Sequence, residues 1–442
     1  MANKVVVTRT RRPEPAAKNF VFSAEMIPSG ALQNYRERAW ETFNRLPLPT
    51  TNEEAWRRTD LRALPAAAFR LPAEDAHQSL PPVPADLLQP LTGDQHGGQV
   101  VLQPGGARLA LDAALAEKGV IFTDLQSAER EHADLVERLA GELVRAEEGK
   151  FAALAAAFAQ NGVLLYIPKG LTVEQPLHSI LWGAGVGLAH FSHLLVWLDE
   201  GASATYVHEF ASPDEDGEAL HAGIVEIKVA DDANLRFVEL QSWGRHVWNF
   251  SHERVQVERG GNLDWIIGAI GSRLTKNFSE LDLVGEGATG RMSGFYFADG
   301  VQHLDHDTQQ NHLAARTTSD LLFKGAVKGR SRSIWQGMIY VAPGAQKTDG
   351  YQANRNLVLS PDARADSIPG LEILADDVRC THGATVGQVE AEPLFYLRSR
   401  GLPLSEAERL IVAGFFDPIM QRIPFDSVRA RFQQAIEDKM AK

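Results

Sequence analysis

The sequence predicts a mainly β protein, in which a parallel β-helix lies between a helical region at each end. Residues 161–390 are short runs of Val, Ile, Leu, Phe and Trp separated by Gly, Asp and Asn, a pattern typical of strands and turns. The turns recur at a nearly regular interval, and apolar residues at helical spacing occur before and after this region. We therefore divide the 442 residues into a tail and helical domain (1–160), a β-helix core (161–390) and a helical C-terminal segment (391–442).

The N-terminal region begins with a basic, proline-containing stretch that ends near residue 20 and predicts a mobile tail. After it, Tyr35, Ala39 and Phe43 recur at the spacing of one helical face, and this helix should end at Pro47. Three further elements are predicted: a helix in EEAWRRTDLRAL (53–64), a proline-rich extended connector (71–90) and a helical stretch (131–160).

The turns of the central region resemble one another, and their spacing predicts a repeat. From Asp231 to Gly260 is 29 residues, and from Gly260 to Glu286 is 26. A repeat near 28 residues predicts roughly eight coils, each of which buries its inward side chains by stacking on the next. An antiparallel sandwich is the alternative, and it would favour two-residue hairpins such as Asn-Gly, of which the region has few.

The C-terminal segment is predicted to be helical. Ser405 and Glu408 form an S-x-x-E capping box ahead of LIVAGFF (410–416), and Pro418 should limit the helix that follows. A last helix is expected behind Asp426.

Apolar residues of this segment exceed what capping one coil requires. Phe415, Phe416 and Ile419 are the examples we single out. An apolar surface of this kind marks a contact with another chain, so these three residues are predicted to face a partner protein.

Composition excludes several classes of function. A net charge of −13 and a pI near 5.6 argue against a basic surface for nucleic acid. No apolar stretch approaches the ~20 residues that span a membrane, and the start of the sequence lacks the apolar region of a signal peptide, so we expect a cytoplasmic protein. The single cysteine, Cys380, excludes an internal disulfide framework and a metal site made only of this chain's thiolates.

Histidines and aspartates are densest in QHLDHDTQQNH (302–312). In a strand, His303, Asp305 and Asp307 would point to one face, and His306 and His312 to the other. Imidazole and carboxylate suit zinc or iron, so one interpretation is a metal site that uses His303, His306 and His312. The other interpretation is a hydrogen-bonded polar face of the β-helix.

A second candidate is the pair Cys380 and His382, two residues apart and therefore on one face of a strand. A thiolate beside an imidazole can bind a soft metal or act as a nucleophile with its base. A lone cysteine is also commonly a small buried apolar residue. The sequence has no phosphate-binding glycine motif, so no nucleotide site is predicted.

Two long segments, LEILADDVRCTHGATVGQ (371–388) and LFYLRSRGLPLSEAERLIVAGF (394–415), resemble the SufB/SufD family of iron–sulfur cluster assembly scaffolds. The resemblance extends to residues 319–360 and to the 53–64 segment. Gly383 directly after His382, and the single cysteine, resemble the SufD branch of that family.

The resemblance implies a right-handed parallel β-helix that pairs with the SufB paralogue, or with a second copy when isolated. It implies that the C-terminal helices bind the ABC-type ATPase SufC. His382 would contribute to a transient iron–sulfur cluster at the interface with the partner, with Cys380 as the weaker candidate, and the chain itself would not be an enzyme. The alternatives are a β-helix metal-binding protein and a carbohydrate-active enzyme, for which Asp305 and Asp307 are the nearest paired carboxylates.

Overall fold

Consecutive strands of the central region enter two facing sheets in turn. The computed structural model describes residues 19–93 and 96–441. Most of the predicted tail lies outside these residues. Odd-numbered strands from β5 to β19 form one sheet and even-numbered strands from β4 to β18 form the other, and within each sheet these strands are parallel. This is a two-sided parallel β-solenoid, as predicted.

The strands of the solenoid run in chain order from β4 to β19. Their bounds are β4 Asn161–Ile167, β5 Leu177–Trp182, β6 Ala189–Leu198, β7 Ser203–Ala211, β8 Ala219–Val229, β9 Asn234–Ser242, β10 Val247–Val257, β11 Asn262–Ala269, β12 Leu274–Leu283, β13 Thr289–Ala298, β14 His303–His312, β15 Thr318–Val327, β16 Arg332–Val341, β17 Asp349–Val358, β18 Arg364–Ile373 and β19 Arg379–Gly387.

The register between coils confirms the predicted repeat. Within a sheet, paired residues are 26 to 32 positions apart, as in Trp248 with Leu274 and Arg332 with Arg364. Each coil contributes one strand to each sheet, so β4 to β19 make eight coils. Alternate residues of each strand therefore point into one continuous lumen.

The lumen has an apolar part and a polar part. On β10, Val255 and Val257 join the main apolar core, whereas Asn249 and Ser251 are buried and hydrogen-bonded. The inward side chains must fill the space between the two sheets, because protein interiors are closely packed. The polar ones among them must also find hydrogen-bond partners within the lumen, because they have no contact with solvent.

The N-terminal region covers the first coil with both helices and strands. Its helices are α1 Gln33–Arg45, α2 Ala113–Glu117, α3 Leu125–Glu131, α4 Ala133–Leu139 and α5 Lys150–Phe158, and its strands are β1 Gly98–Gln103, β2 Gly106–Leu111 and β3 Ile121–Asp124. Strand β1 pairs with β5 and β3 pairs antiparallel with β4. The predicted first helix and the 131–160 helices are present, but the three strands were not predicted.

The predicted helix over 53–64 is wrong. Only Glu54–Trp56 forms a 3₁₀ turn, and the segment then continues without a helix. Its side chains bind the solenoid instead, because the Trp56 ring packs beside Phe250 of β10 and the Thr59 hydroxyl lies 2.8 Å from His303 Nε2. Tertiary contacts override the local helical pattern here.

Three helices follow the last coil: α6 Ala391–Ser399, α7 Leu404–Met420 and α8 Asp426–Ala441. The predicted capping box is not formed, since Pro403 is the N-cap of α7 and the cap has no side-chain hydrogen bond. Pro418 lies inside α7, which ends two residues later at Met420. Helices α7 and α8 pack on the outer face of the odd-numbered sheet, where Val412 and Phe432 meet Phe295 and its neighbours.

Candidate functional site

The last coil of the solenoid is open to solvent. No residue of β18 or β19 is buried, and each strand pairs with another strand on one side only. The same two strands and the turn between them carry four exposed apolar side chains: Leu371, Ile373, Leu374 and Val386. A strand edge with unpaired backbone N–H and C=O groups is a template for pairing with another chain.

His382 lies on this open strand. It occupies β19 opposite Gln352 of β17 and is exposed, whereas Gln352 is fully buried. Within the part of the chain that the structure describes, the His382 ring makes no hydrogen bond. An exposed imidazole without a partner in its own chain can bind a metal that a second chain helps to hold.

Cys380 shares the face of β19 that carries His382, as the spacing predicts, but its surroundings differ. It is only partly exposed. A side chain at Gly350 would lie 3.2 Å from the Cys380 sulfur and 3.3 Å from His312 Nε2, so the thiol packs over the last buried coil. Burial raises the pKa of the Cys380 thiol, which keeps it protonated and a poor metal ligand at neutral pH.

The three histidines of strand β14 do not converge. His303 faces outward against Thr59, whereas the inward His306 ring stacks on Tyr296 with centroids 5.6 Å apart. His312 is also inward, and its two ring nitrogens lie 2.7 Å from the Thr317 hydroxyl and 2.8 Å from that of Ser319.

These positions do not support the interpretation of His303, His306 and His312 as one metal site. Burial lowers the pKa of His306 to about 3 and that of His303 and His312 to about 4, so all three are neutral. Among the described residues, no three His, Cys, Asp or Glu side chains are placed to hold a metal ion. Alternation along the strand separates the histidines, as the pattern of residues 303–312 indicated.

Asp305 and Asp307 are held by a buried lysine that the sequence patterns did not single out. Lys276 Nζ lies 3.0 Å from Asp305 Oδ1 and 2.8 Å from Asp307 Oδ2. The Thr59 hydroxyl also donates to Asp305. These carboxylates thus join the N-terminal segment to the solenoid, an arrangement that does not resemble two acids facing a substrate.

Two of the three predicted partner contacts in the C-terminal segment are buried in the chain itself. Phe416 and Ile419 are 1% and 0% exposed and pack against the odd-numbered sheet, because their face of α7 covers that sheet. Phe415 is half-buried, and Lys324 Nζ donates to its carbonyl oxygen over 2.7 Å. The assignment of Phe416 and Ile419 to a partner surface is therefore wrong.

The exposed apolar residues of this segment lie earlier in the chain. Phe395 and Tyr396 of α6 are 73% and 55% exposed, and α6 has no buried residue. Leu404 and Leu410 extend the same exposed set into α7. The apolar run of α6 is visible in the sequence. The sequence pattern does not tell, however, whether the solenoid covers the apolar residues of α6 or those of α7.

The end of α8 is fixed to the solenoid by lysines. Lys328 Nζ donates to the carbonyl oxygens of Lys439 and Met440 over 3.1 and 2.7 Å. The side chain of Lys439 in turn contacts Gln302 Oε1 at 2.7 Å. Since α8 is held in this way, α6 is the part of the segment free to meet another molecule.

None of the described helices is both long enough and apolar enough to cross a membrane.

Comparison with known proteins finds matches over most of the chain. Residues 181–415 match a family described as "SUF system FeS cluster assembly, SufBD core domain", and residues 107–178 match "SufBD protein N-terminal region". An iron–sulfur cluster assembly SufBD family protein of Staphylococcus haemolyticus is 30% identical over 405 residues, covering 89% of this chain and 86% of the relative. One from Staphylococcus epidermidis is 34% identical over 319 residues, covering 72% and 68%.

Proposed function

The chain belongs to the SufBD family of iron–sulfur cluster assembly proteins, and from that membership we infer that it is a non-catalytic scaffold subunit of the SufD type. In this proposal it pairs with a SufB paralogue, binds the ATPase SufC and presents His382 to a cluster that is cargo of the complex. The observation that carries the proposal is the exposure of His382 on the unpaired last coil.

Pairing with SufB is supported by the unfinished end of the solenoid. Strands β18 and β19 leave backbone groups and apolar side chains uncovered, and Leu374 and Val386 are 51% and 47% exposed. A paralogue with a similar last coil would cover these backbone groups and these apolar side chains through edge-to-edge strand contacts. A second copy of this chain could take the same place when SufB is missing.

Binding of SufC is supported by α6 and the start of α7. Phe395 and Tyr396 are large exposed aromatic side chains on a helix with no buried residue, and aromatic residues are enriched at the energetic centre of protein interfaces. Contacts of Lys328 hold the end of α8 on the solenoid. A movement of bound SufC at α6 would therefore be transmitted to the solenoid, because the C-terminal helices are attached to it.

A role for His382 as cluster ligand is supported by its chemistry and by the weakness of the other candidate. An imidazole nitrogen binds iron through its lone pair, whereas the Cys380 thiol must first lose a proton, and partial burial raises its pKa. One histidine cannot complete a tetrahedral site, so the partner chain would supply the remaining ligands. We place the complex in the cytoplasm, where a lone cysteine outside any disulfide is usual.

The test is co-expression of the full chain with candidate SufB and SufC chains, followed by sizing of the complex and an assay of an iron–sulfur enzyme in cells that depend on this chain. The His382→Ala variant should assemble normally but lower the enzyme activity at least about tenfold. The Cys380→Ser variant is the matched control on the same face of β19 and should lower it less.

Two results would contradict the proposal. Failure of the wild-type chain to co-purify with either partner would remove the scaffold role. Near-normal enzyme activity with His382→Ala would remove the ligand role and leave a purely structural subunit.

A further inference from the structure

Three cationic side chains lie together on the outer face of the odd-numbered sheet, near the open end of the solenoid. Lys324 of β15 and Arg355 of β17 are paired directly in the register of these two strands. Arg422, in the turn after α7, donates from Nη1 to the Ser293 hydroxyl of β13 over 2.6 Å, which places its guanidinium over the same face. We call Lys324, Arg355 and Arg422 the cationic cluster.

Among the described residues, no carboxylate forms an ion pair with the cationic cluster. Outward side chains of a strand are two positions apart, so the nearest acid to Lys324 on the outer face of β15 is Asp320, four residues earlier. On β17 the nearest is Asp349, six residues before Arg355, and it is paired with Arg379. Strand β19 has no acidic residue.

Asp417 of α7 is the acid that faces Lys324 from the C-terminal segment, and its carboxylate accepts a hydrogen bond from the Gln421 amide over 2.6 Å. Burial, assisted by the charges of Arg355 and Arg422, lowers the pKa of Lys324 although Asp417 opposes this. Like charges directly opposite each other on neighbouring strands repel. The cluster is therefore a local excess of positive charge in a chain whose net charge is −13.

Contacts within the chain explain two members of the cluster but not the third. Lys324 Nζ donates to the Phe415 carbonyl oxygen over 2.7 Å and lies 4.8 Å from the centre of the Phe415 ring, so it fixes α7 to the sheet. Arg422 is held by Ser293. Arg355 is exposed, and it forms no hydrogen bond or ion pair with a described residue. Its charge is therefore available to another molecule.

The surface beside Arg355 is open and made of small side chains. Ala353 and Thr385 are its outward neighbours on β17 and β19. A β-carbon added to Gly383 or Gly387 of β19 would meet nothing within 4 Å, so no described part of the chain covers the outer face of this strand there. The backbone of a second protein can approach closely at such a surface.

The cluster adjoins the surface proposed for SufC. Lys324 contacts Phe415 of α7, and α6 packs on α7. Helix α6 begins at Ala391, four residues after β19 ends at Gly387. A protein bound to the exposed aromatic residues of α6 would therefore lie beside Arg355.

We propose that the cationic cluster binds carboxylate side chains of the ATPase that occupies α6, and that Arg355 is the residue that contacts them. The identity of this partner rests on the proposed function. A guanidinium binds a carboxylate through two parallel hydrogen bonds, which an ammonium group cannot form. A carboxylate placed here would also offset the repulsion between Arg355 and Lys324.

Titration of the purified full chain with SufC tests the proposal. Arg355→Glu should weaken the affinity at least about tenfold at low salt, because a charge-assisted hydrogen bond is replaced by a repulsion. The loss should be smaller at about 1 M salt, where the Debye length is about 3 Å. Arg108→Glu is the matched control, since Arg108 is exposed on β2 without an ion pair, and it should change the affinity less than about twofold.

Two further measurements keep the result specific. Arg355→Glu should not lower the free energy of unfolding, because a carboxylate at this position faces Lys324. Arg355→Lys keeps the charge and should retain most of the affinity. Its amine also allows a carbodiimide, which joins an amine to a carboxylate, to link position 355 to the residue of the partner that it contacts. Mass spectrometry of the linked peptides then identifies that residue, with Arg108→Lys as the control.

Three results would overturn the proposal. The first is an unchanged affinity of Arg355→Glu for SufC. The second is an equal loss with Arg108→Glu, which would indicate a general effect of charge. The third is a link from position 355 to SufB or to a second copy of this chain, which would assign the cluster to the pairing interface. If the wild-type chain does not bind SufC, the proposed function fails as well, whereas a failure limited to the Arg355 variants leaves SufC binding at α6 intact.

Discussion

The two ends of the solenoid differ in how completely this chain covers them. At the first coil, β4 is buried apart from Tyr166 and β5 is buried throughout, because β1, β3 and α3 pack over them. At the last coil, β18 and β19 contain no buried residue. A solenoid needs a cap at each end to satisfy its strand edges and cover its core. Within the residues that the structure describes, the chain supplies one cap and leaves the other end uncovered.

Residues at the two ends of the solenoid should also differ in whether they contribute to the folding stability of the chain or to its association with another chain. Side chains at the covered end contribute mainly to the folding of this chain, because their contacts are all internal. Side chains at the open end contribute little to folding, but their exposed surface is available for binding. Substitutions at the two ends should therefore change different measurements.

The largest expected effect is under the N-terminal region, where α5 covers the even-numbered sheet at β6, β8 and β10. The Phe151 ring of α5 stacks on Phe250 with centroids 3.6 Å apart, and Phe151 is 1% exposed. We expect Phe151→Ala to lower the free energy of unfolding by about 3–5 kcal/mol through lost burial and a new cavity. Phe395→Ala, the same change at an exposed position, should lower it by no more than about 0.5 kcal/mol. Denaturant unfolding of both variants measures the difference, and equal losses would contradict the comparison.

A smaller, pH-dependent effect is expected where the N-terminal segment crosses β14. Burial, opposed by Lys276 and assisted by Asp305, raises the pKa of Asp307 to about 6. The unfolded value is near 3.9, so Asp307 contributes stability that is complete below about pH 4 and is lost as the pH rises through 6. We expect a decrease on the order of 2 kcal/mol over this window, absent in Asp307→Asn.

Asp264 of the same solenoid provides a control, because its contribution to stability should depend on pH in the opposite direction. Although burial opposes it, Arg291 and Arg236 lower the pKa of Asp264, so its stabilising contribution is lost as the pH falls. Asp264→Asn should therefore flatten the acid side of the stability profile. If both substitutions flatten the same side, the assignment for Asp307 fails.

The smallest effect on folding is expected at the open end. Val386 of β19 is 47% exposed, and Val386→Lys should change the free energy of unfolding by no more than about 0.5 kcal/mol. The same substitution should prevent pairing with SufB or with a second copy, because a lysine at a strand edge opposes edge-to-edge association. Val301→Lys is the matched control, since Val301 is 66% exposed in a turn elsewhere. Sizing of the co-expressed chains distinguishes them, and retained pairing with Val386→Lys would refute the role of this edge.

Several features could be predicted from the sequence because they depend on local spacing. The repeat of turns determined a solenoid of eight coils, and strand alternation placed Cys380 beside His382 and separated His303 from His306. The spacing of Tyr35, Ala39 and Phe43 marked α1. These features depend on periods of 2, 3.6 or about 28 residues, which are visible in any linear sequence.

Other features depend on contacts between residues far apart in the chain. The 53–64 segment has a helical pattern, yet it is held open because its side chains bind β14 and α5. Phe416 and Ile419 look like partner contacts until α7 is placed on the sheet that buries them. The pairing of Lys276 with two aspartates joins different coils.

The sequence by itself thus determined the architecture, because each coil repeats the same local pattern of strand, turn and inward apolar residue. The candidate His382 came from the resemblance of its segment to the SufB/SufD family. Only the tertiary structure decided which apolar surfaces are covered and which buried charges have partners. Burial and electrostatics are set by what packs against a residue, and in this solenoid the nearest neighbours are usually about 28 residues away or in another region of the chain.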